Sequence, residues 1–150
     1  MVRFSSGVVL FAALAVASSA PEAKLTKTEV PPAVSSAAQQ RFPQAKLSAW
    51  SKETEDGKTT FEVSVADGAG KRNAVFAPDG ALVALEAPLP VSILPAPVKS
   101  AIQAKYPSAR VSKAEKITLA NSEVQYEVDL RKAAKKEVLL SADGKILKEE

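Results

Sequence analysis

The stretch Leu94-Pro95-Ala96-Pro97-Val98 through Tyr106-Pro107-Ser108-Ala109-Arg110-Val111 has an earlier counterpart in the same chain, Val30-Pro31-Pro32-Ala33-Val34 through Phe42-Pro43-Gln44-Ala45-Lys46-Leu47. Each reads as a proline-opened amphipathic helix, halted by an aromatic-proline pair and followed by a strand. Proline suits a first helical turn because its missing N–H would be unpaired there. The prolines after Phe42 and Tyr106 push those residues out of helical geometry and end the segment. The echo continues. Phe61-Glu62-Val63-Ser64-Val65 answers to Tyr126-Glu127-Val128-Asp129-Leu130, and Pro78-Asp79-Gly80-Ala81-Leu82 to Ala142-Asp143-Gly144-Lys145-Ile146. The offset is 64 at the helix, 65 at the middle strand and 64 at the last turn. Motifs kept in order at one period point to a duplicated unit whose hairpin loops vary in length.

Within each copy the apolar residues take helical and then strand spacing. Val34, Ala37, Ala38 and Phe42 share one helix face, as do Val98, Ala101, Ile102 and Tyr106. Helices of about a dozen residues are marginal alone in water and must dock on something. The following runs, at 45–54, 59–66, 72–77 and 81–86, are strand-length and separated by Asp56-Gly57, Asp67-Gly68-Ala69-Gly70 and Asp79-Gly80. Asp-Gly supplies the positive backbone angles of tight hairpins. The second copy repeats the plan at 109–119, 123–131, 135–141 and 145–149. Its Val124, Tyr126, Val128 and Leu130 alternate with Gln125, Glu127 and Asp129, the strongest strand signal in the chain. The predicted fold is therefore α+β: two tandem repeats, each one helix packed on a four-stranded antiparallel meander. Residues 21–29 read as a flexible lead, 30–87 as the first repeat, 88–93 as a proline-rich linker and 94–150 as the second repeat. Leu89, Val91, Ile93 and Leu94 along the connection are expected to pack, several of them, against the sheets.

The chain is 46% hydrophobic and 25% charged, a globular composition, with aromatics at only 5%, so its cores must be built mostly from Val, Leu, Ile and Ala. Residues 1–20 carry the order of a secretory signal peptide: Arg3, the apolar run from Val8 to Val16, then small residues through Ala20. Cleavage is expected near Ala17 or Ala20, leaving a periplasmic or secreted bacterial protein with no permanent membrane anchor. Cysteine is absent, so no disulfide framework is available. The formal net charge is only +3, and the basic cluster Lys132, Lys135 and Lys136 has no interleaved aromatics, so no nucleic acid partner is expected.

Leu94-Pro95-Ala96-x-Val98-x-x-Ala101-Ile102, Tyr106-Pro107-x-Ala109, Tyr126-Glu127-Val128 and Ala142-Asp143-Gly144-Lys145-Ile146 resemble the PepSY-like, beta-lactamase-inhibitor-like (BLIP-like) domains of bacterial envelope proteins. The first copy carries the same frame in Pro31, Val34, Phe42, Pro43, Phe61, Asp79 and Gly80, with Trp50 at a position where that family often has tryptophan. The resemblance covers about residues 28–150. It implies tandem units of helix plus four-stranded sheet and a non-enzymatic, protein-binding or inhibitory role.

Catalytic chemistry is sparse. Without histidine or cysteine the commonest general base, the usual transition-metal ligands and thiol nucleophiles are missing, and no metal or cofactor is expected. Glu53 with Glu55, and Glu127 with Asp129, lie two apart on strands and so share a face; they read as the solvated side of a half-buried sheet rather than an acid–base pair. What remains is a surface. Counting from Leu47 and Ala49 as inward, Lys46, Ser48, Trp50 and Lys52 face outward, and Trp50 with Val75 forms a candidate apolar anchor rimmed by charge. A bulge in that strand would instead return Trp50 to the core. The Glu55-Asp56-Gly57-Lys58 tip is a second candidate. The function expected is an exported non-enzymatic binding module with a protein partner in the envelope, protein-binding or inhibitory toward an envelope or secreted enzyme such as a peptidase. A small-molecule or polymer carrier with a groove between the sheets is the alternative.

Overall fold

A computed structural model describes residues 23–150. Nine strands form one antiparallel sheet in strict chain order: β1 (Ala23–Leu25), β2 (Lys46–Glu55), β3 (Lys58–Asp67), β4 (Gly70–Phe76), β5 (Leu82–Pro88), β6 (Arg110–Leu119), β7 (Val124–Arg131), β8 (Glu137–Ser141) and β9 (Ile146–Glu149). Helix α1 (Pro32–Arg41) precedes β2 and helix α2 (Ala96–Lys105) precedes β6. Both open on prolines, and both end as expected, at Phe42 and Tyr106, each with φ near −126° and its N–H donated to the carbonyl four residues back. The leader expected over residues 1–20 lies outside the described residues.

Two expectations change. The lead at 21–29 is not loose: Ala23–Leu25 pairs with Lys52, Ser51 and Trp50 of β2, and Leu25 packs against the first core. The four-stranded sheets are not separate either, because β5 pairs with β4 on one side and β6 on the other. The reason lies in the 88–93 connection. Its first residue still pairs, Pro88 opposite Glu115, and the Leu89 N–H donates to the Ala114 carbonyl. β1 makes the same pairings against β2, displaced by 64 residues. One strand thus ends the first meander and opens the next, which leaves no unpaired edge at which the sheets could part. Leu94 is buried and Leu89 and Val91 pack on the second core, whereas Ile93 is 62% exposed.

Both helices lie on one face. Val34, Ala38 and Phe42 meet Phe61, Val63, Val65, Ala74 and Phe76; Val98 and Ile102 meet Ala114, Val128, Leu130, Val138 and Leu140, with Tyr106 and Tyr126 partly buried beside them. On the opposite face a third cluster, Val75, Ala84, Ile117, Leu119 and Leu139, is buried although no described helix covers it. The sheet's own curvature does so. The Lys148 Nζ of β9 lies 2.6 Å from the Glu55 Oε1 of β2, and both side chains project from the helix-free side. The sheet therefore curls toward that side until its ends nearly meet, as the right-handed twist of many strands tends to make it.

Candidate functional site: an acid-lined concave face

The inside of this curl is where polar chemistry collects. Strand pleating sends alternate side chains there, and in cross-strand order it receives Glu53 and Thr60, Ser51 and Glu62, Asn73 and Glu86, Glu115 and Glu127, then Asp129 and Glu137. Glu115 stands directly opposite Glu127, and Asp129 opposite Glu137. Like charges paired across strands repel. Glu53, Glu86, Glu127 and Glu137 are nonetheless buried, each less than a tenth exposed.

Two adjoining hollows open here and share Asn73, Glu86 and Glu115 as walls. The inner one, about 120 Å³, is bounded by Ser51, Glu53, Thr60, Glu62 and Val75 besides. The outer cleft, about 420 Å³, is rimmed by Lys46, Lys71 and Arg72. Ser64 Oγ donates to Asn73 Oδ1 at 3.0 Å and Asn73 Nδ2 to Glu62 Oε1 at 2.8 Å, which fixes the Glu62 carboxylate. Glu86 has no such support: its Oε1 is buried without a hydrogen-bond partner among the described residues. Burial, then the charges of Glu62, Glu115, Glu127 and Glu53, push its carboxyl up to about 9. Burial, then Glu137, Glu115, Asp129 and Glu150, push Glu127 up to about 8. Glu115 is raised by burial and by Asp129, against a partial counterweight from Lys113.

The anchor expected from sequence does not assemble. Ala49 adopts φ 51°, and the pairing jumps from Ser48↔Ser64 to Ser51↔Glu62, an extra residue that reverses the facing of everything after it. Trp50 is thereby 6% exposed in the helix-side core, while Val75 is buried on the opposite face. Lys52 is exposed opposite Phe61. Asp56 and Gly57, both with positive φ, make the expected hairpin, but the tip does not stand clear, since Glu55 pairs with Lys148. Lys46 lies on the rim of the outer cleft. Glu53 and Glu127, expected on a solvated surface, are enclosed. Glu62, Glu86, Glu115 and Glu137 escaped notice individually; the available signal was their shared parity, an acid on the helix-free side of nearly every strand from β2 to β8.

Residues 59–148 match the family described as "Putative beta-lactamase-inhibitor-like, PepSY-like". The chain belongs to this family. The PepSY-like match starts in β3 and runs to β9, crossing the shared strand β5. Among solved structures, a BLIP-like protein from Bacteroides fragilis is 19% identical with a TM-score of 0.58, over 79% of this chain and 83% of that one. A DUF2874 family protein from Bacteroides ovatus is 20% identical with a TM-score of 0.62, over 80% and 86%. A protein from Bacteroides eggerthii described as "putative periplasmic" is 18% identical with a TM-score of 0.63, over 81% and 88%. At these identities the likeness is one of fold. No curated protein matches the chain. No described helix is long and apolar enough to cross a membrane.

Proposed function

We propose that this PepSY-like protein is an exported, non-enzymatic binding module that takes a lysine or arginine side chain of a partner protein into its concave face. The observation that carries the reading is the pair Glu86 and Glu115, which wall both hollows and form no ion pair among the described residues. Glu86 is buried and Glu115 half-buried; ionising such acids without a counter-charge is costly, and an inserted ammonium or guanidinium would offset that cost with charge-assisted hydrogen bonds. Lys46 and Lys71 on the rim call for acidic neighbours on the same segment, so the partner sequence is a cation flanked by carboxylates. Inhibition would follow where that segment borders the partner's own active site, the activity that the BLIP-like relative's name suggests. The elements recurring at 64 residues, including the helices at Pro32–Arg41 and Ala96–Lys105, fit a duplicated helix-and-meander unit that shares β5.

Calorimetric titration with the peptide Glu-Lys-Glu tests the reading against Glu-Gln-Glu. Binding of the first alone, lost in a Glu86→Gln/Glu115→Gln double variant that still unfolds cooperatively, supports it. Equal binding of both peptides, or binding unchanged in the double variant, overturns it.

A further inference from the structure

Beyond the two hollows, toward the far end of the same face, lies a second acidic group with a different geometry. Glu127 and Asp129 sit two apart on β7, and Glu137 faces Asp129 from β8. One carboxylate oxygen from each lies within 4.8 Å of the other two. Acidic side chains often crowd together in water, where solvent separates them. Two of these three are shut away from it. Glu127 is 7% and Glu137 8% exposed, and Glu127 Oε2 is buried with no hydrogen-bond partner among the described residues. The Lys113 Nζ lies 3.7 Å from Asp129 Oδ2, on a side chain 79% exposed, a loose contact that solvent screens.

The separation suits an ion. Three oxygens no more than 4.8 Å apart lie at most about 2.8 Å from a common point, a few tenths of an ångström beyond calcium–oxygen bonds of about 2.3–2.6 Å, so small side-chain movements bring all three onto one calcium. Three carboxylates and no nitrogen or sulfur make a hard donor set, suited to calcium rather than zinc or copper. Second carboxylate oxygens and water would complete its coordination, and two positive charges would remove most of the repulsion among the three acids and Glu115.

We propose that Glu127, Asp129 and Glu137 form a binding site for calcium. Glu86 is not among its ligands, so this inference stands apart from the reading of the cleft. Titration of the purified protein with calcium chloride, followed by calorimetry and by the shift in Tm, tests it. A saturable single site is expected, with Kd on the order of 10⁻⁴–10⁻³ M, the range of extracellular modules, and Tm rising with calcium. Glu127→Gln and Glu137→Gln should each weaken binding about tenfold or more, the loss of one charged ligand at about 1.4 kcal/mol per decade. Both variants replace a buried acid in a crowded group by a neutral amide of the same shape and should fold. The Glu86→Gln variant should retain the site. No saturable binding to about ten times the upper Kd of that range, or equal affinity in Glu127→Gln and Glu137→Gln, overturns the proposal. A Glu-Lys-Glu peptide that fails to bind bears only on the cleft.

Discussion

Gly80 and Gly144 show how much one missing methylene decides. Each closes the turn before the last strand of its meander with φ near +88°, and each packs against a helix opening. A Cβ on Gly80 would sit 2.6 Å from the Ala33 carbonyl oxygen, and one on Gly144 2.5 Å from that of Pro97. Gly57 has similar backbone strain but open space around it. Gly80→Ala should therefore cost clearly more than the roughly 1 kcal/mol expected from backbone strain alone, while Gly57→Ala should stay near that figure; urea unfolding of the two variants measures both. Glu86 makes the other prediction at this scale. Its carboxyl holds a proton in the folded state up to about pH 9, whereas the unfolded chain releases that proton near the ordinary value. Between those limits the folded state binds more protons, so rising pH removes stability, by up to about 1.4 kcal/mol per unit. Urea midpoints should fall between pH 5.5 and 8.5, and Glu86→Gln should flatten the fall. A midpoint that rises over this range would refute the burial argument.

At the scale of elements, β2 carries the least legible feature. Alternation from Leu47 puts Trp50 outward; the bulge at Ala49 puts it inward, where Leu25, Val30 and Phe61 belong to the same core. Nothing in the local pattern announces the extra residue, although the residue 64 positions on from Trp50, Ala114, is small, apolar and buried. Trp50→Ala should behave as a core truncation and cost roughly 3–5 kcal/mol, read from chemical denaturation. Ala49→Gly should be neutral or stabilising by up to about 1–2 kcal/mol, because alanine bears a left-handed conformation that glycine adopts freely. The helices were far easier to read. Proline at the start and aromatic-proline at the end are local instructions, and the observed boundaries differ from the expected ones by a residue or two. The strands between Asp-Gly turns were legible for the same reason.

For the whole molecule, sharing β5 between the two meanders has a thermodynamic consequence. Neither half can unfold without stripping the other of a paired edge strand. A single cooperative transition is expected, with calorimetric and van't Hoff enthalpies equal. Two resolved transitions would mean that the halves are independent. The Lys148–Glu55 contact is partly exposed at both ends, so it marks the closure of the curl more than it drives it; such pairs contribute about 1 kcal/mol or less.

By itself the sequence determined the helices, the hairpins and the 64-residue recurrence, because capping, turn chemistry and side-chain alternation act over a few neighbours. It also placed Glu127 with Asp129 on one side of a strand. Only the tertiary structure decided that this side is enclosed. Curvature accumulates over nine strands from small twists that no single strand records, and it converts a face that reads as solvated into one where carboxylates from β2 to β8 converge. The bulge that buries Trp50 and the joining of the meanders at β5 belong to the same class, since each depends on what a strand pairs with rather than on what it is made of.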